Sequence, residues 1–375
     1  MKIVFVSNYY NHHQAPLSEE FYKQTDGNYF FIQTMPMEAE RLHMGWGQET
    51  LPPFVIESYK DETTYQKCLN LIDSADVVIT GSAPEKMIRH RIRQGKLVFR
   101  YSERIYKNPL QYLTLPLRFF KYHFDNFPSK KVYLLCASAY AAGDYAKTGN
   151  FIGKTYQWGY FPKVTHYDDI DKLIEAKEPA SILWVGRLIG LKHPEVPIEI
   201  ARRLKKEGYT FDLKMIGCGK LEGKLKDRIE KYDLSDCVHL MGAMKPEEVR
   251  SYMEKSQIFL FTSDRNEGWG AVLNESMNSA CAVVACDAIG SVPYLLKDGE
   301  NGFTYKYGDD KKAYQRVKSL LDHSEICKAC GFASYHTMAE LWNPHNGAKR
   351  FISLAKNIEN SISVEFYSDG PCDKS

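Results

Sequence analysis

The stretch "IFLFTSDRNEGWGAVLNESM", residues 258–277, runs from an apolar segment through a glycine-flanked tryptophan into a helical pattern. The apolar run Ile258–Phe261 reads as a buried strand, and from Ala271 onward "AVLNESM" reads as a helix. Between them lie Glu267, Gly268, Trp269 and Gly270, and Glu275 follows about one turn into the helix. Strand, polar loop and helix in this order are the repeating unit of an α/β protein with parallel strands.

The same alternation extends along the chain. Short β-rich runs occur at "KIVFVS" (2–7), "ADVVITG" (75–81), "KLVFRYS" (96–102), "VYLLCAS" (132–138), "SILWVGR" (181–187), "FDLKMIG" (211–217) and "AVVAC" (282–286). Helical patterns lie at 194–207, 221–231, 246–255 and 310–321. Buried strands alternating with helices predict parallel sheets covered on both faces. "KIVFVS" and "SILWVG" each open a separate α/β unit, and 375 residues suit two domains. The expected division is 1–162 and 163–344. Residues 162–180 are polar and proline-bounded, as a linker would be. The end of the chain, 361–375 with "SDGPCDKS", reads as a disordered tail.

A hydrophobic content of 44% and a charged content of 26% are ordinary for a globular protein. No apolar run approaches the ~18 residues of a membrane span. "MKIVFVSNYY" is a core strand rather than a signal peptide, so the chain is expected in the cytoplasm with its nine cysteines reduced. Cys327 and Cys330 form a lone C-x-x-C with no second pair at zinc spacing, so neither a metal nor a redox role is expected.

Ligands of open parallel sheets bind beyond the carboxyl ends of the strands. Residues that follow each run therefore matter most. Arg187 and Lys192 follow "SILWV" and precede the helix that Pro194 can start. Two cations beside a helix N-terminus form a diphosphate clamp, or else are two solvated surface charges. Gly217 allows close backbone approach. Gly268, Trp269, Gly270 and Ala271 stand at a helix N-terminus, whose N–H groups suit phosphate or hydroxyl oxygens, with the glycines clearing the approach. Glu267 can accept from sugar hydroxyls, and Glu275 can accept twice from a ribose diol.

In "VGRLIGLK", "MIGCGK", "VHLMG" and "EGWGAVLNESM", with Glu267 and Glu275 separated by seven residues, the chain resembles the retaining glycosyltransferases of family four. The likeness runs over roughly 181–305 and includes "GSVPYLLKDGENGF" (290–303). It implies a GT-B fold, two Rossmann-like doubly wound domains facing across a cleft, with the last helix, 345–360, returning to the first. It further implies a nucleotide-diphosphate sugar as donor, UDP before GDP, and a glycan acceptor, lipid-linked in many such enzymes that build surface polysaccharides. By that likeness Arg187 and Lys192 hold the diphosphate, Glu275 the ribose, Glu267 the transferred sugar, and Met244 in "MGAM" lines the base. No cofactor and no metal are implied, because the cations stabilise the leaving group.

The first half is less legible. After the first strand comes "SNYYNHHQAP", without the glycines such enzymes often carry there, which makes His12 and His13 candidates for the phosphate or the acceptor; solvated or packing histidines are the alternative. Ser82 and Glu103 also follow strands. Glu103 is the acidic acceptor-site candidate, or else the partner of a basic neighbour. From Lys86 to Lys131 twelve Lys/Arg face only Glu103 and Asp125, which concentrates +10 in a chain of net charge +2 and points to an anionic partner. Within 107–131 the cations alternate with Tyr112, Phe119, Phe120, Tyr122, Phe124 and Phe127, as suits an anionic membrane surface; core packing of the same rings is the other reading. No RRM, KH or helix-turn-helix pattern supports nucleic acid. A GT-B epimerase and a non-enzymatic nucleotide-sugar sensor are the remaining alternatives.

Overall fold

The computed structural model describes residues 1–38, 50–362 and 367–375; positions 363–366 of the expected tail lie outside the described residues. Met1–Lys163 with Trp342–Ser375 form one compact unit and Val164–Leu341 the other. Both are Rossmann-like.

The first unit has a seven-stranded sheet: β1 (Ile3–Ser7), β2 (Tyr29–Gln33), β3 (Val55–Glu57), β4 (Val77–Thr80), β5 (Val98–Ser102), β6 (Val132–Cys136) and β7 (Thr155–Gln157). Their order is β3-β2-β1-β4-β5-β6-β7, and every pair is parallel. Ile3–Val6 and Val77–Ile79 are fully buried, which is why these strands read as unbroken apolar runs rather than as alternations. The helix Pro344–Glu359 completes this unit. Its Phe351 ring lies 5.4 Å from Phe21 and 4.9 Å from Phe99, so helix and sheet share one core.

The second unit has six parallel strands: β8 (Glu178–Val185), β9 (Asp212–Ile216), β10 (Val238–Gly242), β11 (Ser256–Phe261), β12 (Ala282–Cys286) and β13 (Gly302–Tyr305). Their order is β10-β9-β8-β11-β12-β13. The strand order reverses between β8 and β11, as it does between β1 and β4 in the first sheet. Such switch points open a crevice at the strand ends. The loops beyond β8 and β11 are the ones that carry Arg187, Lys192 and Glu267.

Two expectations need correction. Residues 162–180 are not a linker. Asp169 caps the helix Ile170–Glu175 by accepting from the Lys172 N–H, and β8 already starts at Glu178. Ile174 is buried beside Ala280 and Tyr335. Lys177 explains how so polar a stretch folds: its ammonium is buried and donates to the carbonyls of Met253, Glu254, Ser256 and Ser279 at 2.8–3.1 Å. It thereby satisfies helix-end acceptors that would otherwise be orphaned, and burial lowers its pKa from the ordinary lysine value.

Nor is the described end of the chain disordered. The N–H groups of Gln157, Cys372 and Ser375 donate to Asp373, Gln157 and Thr155 respectively, at 2.7, 2.8 and 3.2 Å. The segment thus lies antiparallel along the edge of β7 with Cys372 buried. An edge strand offers a row of backbone groups, and here the chain's own end takes them. Polarity read as disorder because the pairing is made by backbone.

Candidate active site

At the end of β8 the chain makes a short 3-10 turn, Gly190–Lys192, and His193 adopts a left-handed conformation (φ 46°) before the helix Glu195–Lys206. This turn is fastened to the loop beyond β11. Asp264 N–H donates to the Leu191 carbonyl at 2.9 Å. The Thr262 hydroxyl donates to the Lys192 carbonyl at 2.7 Å and itself accepts from the Trp184 indole at 2.9 Å. The His193 ring closes the joint, with Nδ1 2.9 Å from Glu195 and Nε2 3.2 Å from Asp264. The bond to Glu195, ahead of that to Asp264, raises the His193 pKa from its ordinary value against the opposing effect of burial.

The fastening brings Lys192 onto Glu267. Their ammonium and carboxylate form an ion pair, and the Ser263 hydroxyl donates to the same Glu267 oxygen at 3.0 Å. Both side chains are largely shielded, 14% and 15% exposed. Arg187 stands exposed at the end of β8 and makes no ion pair with a described residue. Lys192, Glu267 and Ser263 thus meet at the switch point, with Arg187 on the same loop as Lys192. Glu275, on the helix Val272–Asn278, is half-buried. Burial raises its carboxyl pKa, with Arg250 pulling the other way, and no described residue donates a hydrogen bond to that carboxylate. Arg250 instead donates to the Glu275 backbone carbonyl, Asn278 and Ser279 at 3.0–3.2 Å, fixing the helix.

The space beside Gly270 differs from expectation. At Gly270 (φ +79°) an added Cβ would stand 2.3 Å from the Phe261 ring, so the space is taken by protein rather than cleared for a ligand. Trp269 is wholly buried and its indole donates to Asn274 at 2.9 Å, so its side chain pins the loop; Gly268 beside it is buried as well. At Gly217 (φ +139°) a Cβ would meet the Gly186 carbonyl at 1.9 Å: the close backbone approach is to the β8 loop. Ala271 is the N-cap of the helix carrying Glu275, and Met244 sits half-buried between β10 and the helix Pro246–Lys255. His193, Ser263, Thr262 and Arg250 were not singled out from the sequence. The polar pair Thr262–Ser263 directly after the strand was the available signal for two of them.

In the first unit, His12 and His13 lie beyond β1 with ring centres 3.8 Å apart. The Asn11 side chain accepts from the His13 and Gln14 N–H groups, which shapes the loop. Burial, with His12 adjoining, holds the His13 pKa down to about 3, so that ring is neutral across the physiological range. Ser82 is exposed beyond β4. Glu103 has both oxygens engaged, by Lys107 at 3.2 Å and the Tyr160 hydroxyl at 2.8 Å, the partnered alternative. Much of the basic arc is likewise spent internally. Arg91 is fully buried and donates to the carbonyls of Ile72, Ala75, Asp76 and Leu97. Arg100 holds Glu85, which lies just outside the counted arc.

Cys327 and Cys330 are buried thiols on one helix, Ser324–His336. Among the described residues no group of three or more His, Cys, Asp or Glu is placed to hold a metal ion, and no helix is long and apolar enough to cross a membrane.

Residues 167–337 match the family model described as glycosyl transferases group 1. A curated relative, the amylovoran biosynthesis glycosyltransferase AmsK of Erwinia amylovora, is 36% identical over 137 residues, 35% of this chain and 33% of its own. Another, a Campylobacter jejuni 4-alpha-N-acetylgalactosaminyltransferase named for a diphospho-undecaprenol saccharide, is 34% identical over 148 residues, 40% of this chain and 39% of its own. The chain therefore spans only a third to two fifths of the length of these relatives. Among solved structures, Anabaena HepE in complex with UDP superposes with a TM-score of 0.67 at 13% identity, covering 96% of this chain and 99% of that one. The chain has the GT-B fold, and its residues 167–337 are similar to the glycosyl transferases group 1.

Proposed function

We propose that this chain is a retaining glycosyltransferase that moves a sugar from a UDP-sugar to a glycan acceptor, lipid-linked and held at the inner face of an anionic membrane, during surface polysaccharide synthesis. The observation that carries the reading is the meeting of Lys192, Glu267 and Ser263 at the β8/β11 switch point, with Arg187 exposed on the loop that carries Lys192. HepE, whose fold this chain shares, was solved with UDP. The names of AmsK and of the Campylobacter enzyme supply the polysaccharide and the lipid-linked acceptor.

In this reading Arg187 and Lys192 bind the diphosphate and stabilise the charge that develops on it as the anomeric carbon–oxygen bond breaks. Glu267 holds Lys192 in place and accepts from the hydroxyls of the transferred sugar. Glu275, whose carboxylate has room for two donors, takes the ribose diol. The acceptor hydroxyl attacks on the face the diphosphate leaves, and its proton passes to a departing phosphate oxygen. The products are UDP and the lengthened acceptor, with configuration retained. No protein base is needed, and the cations do what a divalent metal does elsewhere.

Incubation with a panel of UDP-, GDP-, ADP- and dTDP-sugars, followed by mass spectrometry, tests the reading. UDP release with transfer of the sugar to a lipid-linked saccharide is expected. Interconversion of the donor without nucleotide release would identify an epimerase instead, and binding with neither outcome would identify a sensor.

A further inference from the structure

In the first unit, the 3-10 turn Pro109–Thr114 leads directly into the helix Leu115–Asn126. Leu110, Leu113, Leu117, Phe120, Phe124 and Phe127 recur along it at intervals of three and four, which places them on one helical stripe. A stripe of this kind normally faces a core. Here all six point to solvent, each between 65% and 79% exposed. The opposite face is the anchored one: Tyr122 packs on Tyr145 at 4.9 Å, Asp125 is buried and faces Arg89 at 3.5 Å, and the Arg118 guanidinium lies 4.9 Å from the Tyr106 ring. The helix is thus held in place by its polar and mixed side and presents its apolar side outward. Contiguous exposed apolar surface of this size marks an interaction site.

We infer that this stripe is the face by which the protein inserts into an anionic lipid surface. Charge selects that occupant. Between Lys107 and Lys131 the sole acidic residue is Asp125, and it is buried against Arg89. Lys121 and Lys130 are exposed, Lys107 and Arg118 half-exposed, and the Arg89 guanidinium lies 4.9 Å from the exposed Phe124 ring. Large apolar side chains fringed by a surplus of cations match an interface whose headgroups are negative and whose interior is hydrocarbon. A second copy of this chain is the other surface that could cover a three-four stripe, but it would set these cations against themselves, because the neighbouring carboxylates Glu103 and Glu359 are already paired with Lys107 and Lys131. The helix has 12 residues, too few to cross a bilayer, so it lies in the plane of the interface.

This rests on the membrane placement in the proposed function, names the surface that would make it, and is tested without the transfer reaction. Vesicles of phosphatidylcholine alone and of phosphatidylcholine with phosphatidylglycerol are sedimented with the full chain at low and high salt. Binding is expected to the anionic vesicles at low salt, falling steeply at high salt. The triple variant Leu117→Ser, Phe120→Ser, Phe124→Ser is expected to lose at least about tenfold in partitioning at an unchanged melting temperature. Recovery of the wild type in the supernatant under all four conditions overturns the inference. So does a concentration-dependent dimer that the triple variant abolishes, if vesicle binding is absent or unaffected by that variant. Sugar transfer to a soluble acceptor is assayed alongside, so failure of docking is distinguished from failure of the enzymatic reading.

Discussion

The ammonium of Lys192 is paired with the carboxylate of Glu267, although 74 residues lie between them in the chain. Strand order makes this contact: β8 and β11 are neighbours at the switch point, so their loops meet. The pairing keeps a cation in position before any ligand arrives, and preorganised charge of this kind is what stabilises a leaving diphosphate.

Replacing Lys192 or Arg187 by alanine should lower turnover about 10²–10³-fold, the scale for losing one preorganised donor to a developing oxyanion. Steady-state kinetics with the cognate donor measure this. Near-native turnover in both variants would remove the clamp from the mechanism.

Activity should persist in excess EDTA, because in the proposed mechanism Arg187 and Lys192 supply the positive charge that a divalent ion would otherwise bring to the diphosphate. Complete loss on chelation, restored by Mn²⁺ or Mg²⁺, would count decisively against this.

His193 gives a pH signature. Its folded pKa is raised by Glu195 and Asp264, so the protonated ring stabilises the fold. That contribution is fully present below the unfolded histidine value of about 6.5 and is lost as pH rises through the raised folded value. His193→Gln should therefore lower the melting temperature more at mildly acidic pH than at alkaline pH. A deficit independent of pH would show that the ring acts only by packing.

Gly217→Ala should cost about 2–4 kcal/mol in urea unfolding, since an L side chain is strained at φ +139° and its Cβ would strike the Gly186 carbonyl. A loss below about 0.5 kcal/mol, the size of an ordinary surface change, would mean that the two loops are not locked together.

The strands were legible because parallel strands buried on both faces leave unbroken apolar runs, as at Ile3–Val6 and Ile258–Phe261. Arg187, Lys192, Glu267 and Glu275 were picked out as residues following those runs, and of them the structure brings Lys192 and Glu267 together. Their mutual contacts were not, because strand order is a tertiary fact: nothing in "LKHPE" says that His193 will meet Asp264. The part played by the Trp269 side chain was not legible, because its indole partner Asn274 lies five residues on, inside the helix. The chain end and the 162–180 segment misled for one shared reason. Both are polar in side chain yet are held by bonds to backbone, which composition does not register.

Calorimetric titration with UDP tests the central claim most directly. The wild-type chain should bind UDP in the absence of metal, and Glu275→Ala should weaken binding about 10–100-fold, the cost of losing hydrogen bonds between a carboxylate and the ribose hydroxyls. Absence of binding to UDP, GDP, ADP and dTDP alike, or UDP affinity unchanged in Glu275→Ala, would contradict the placement of a nucleotide-sugar site at the β8/β11 switch point.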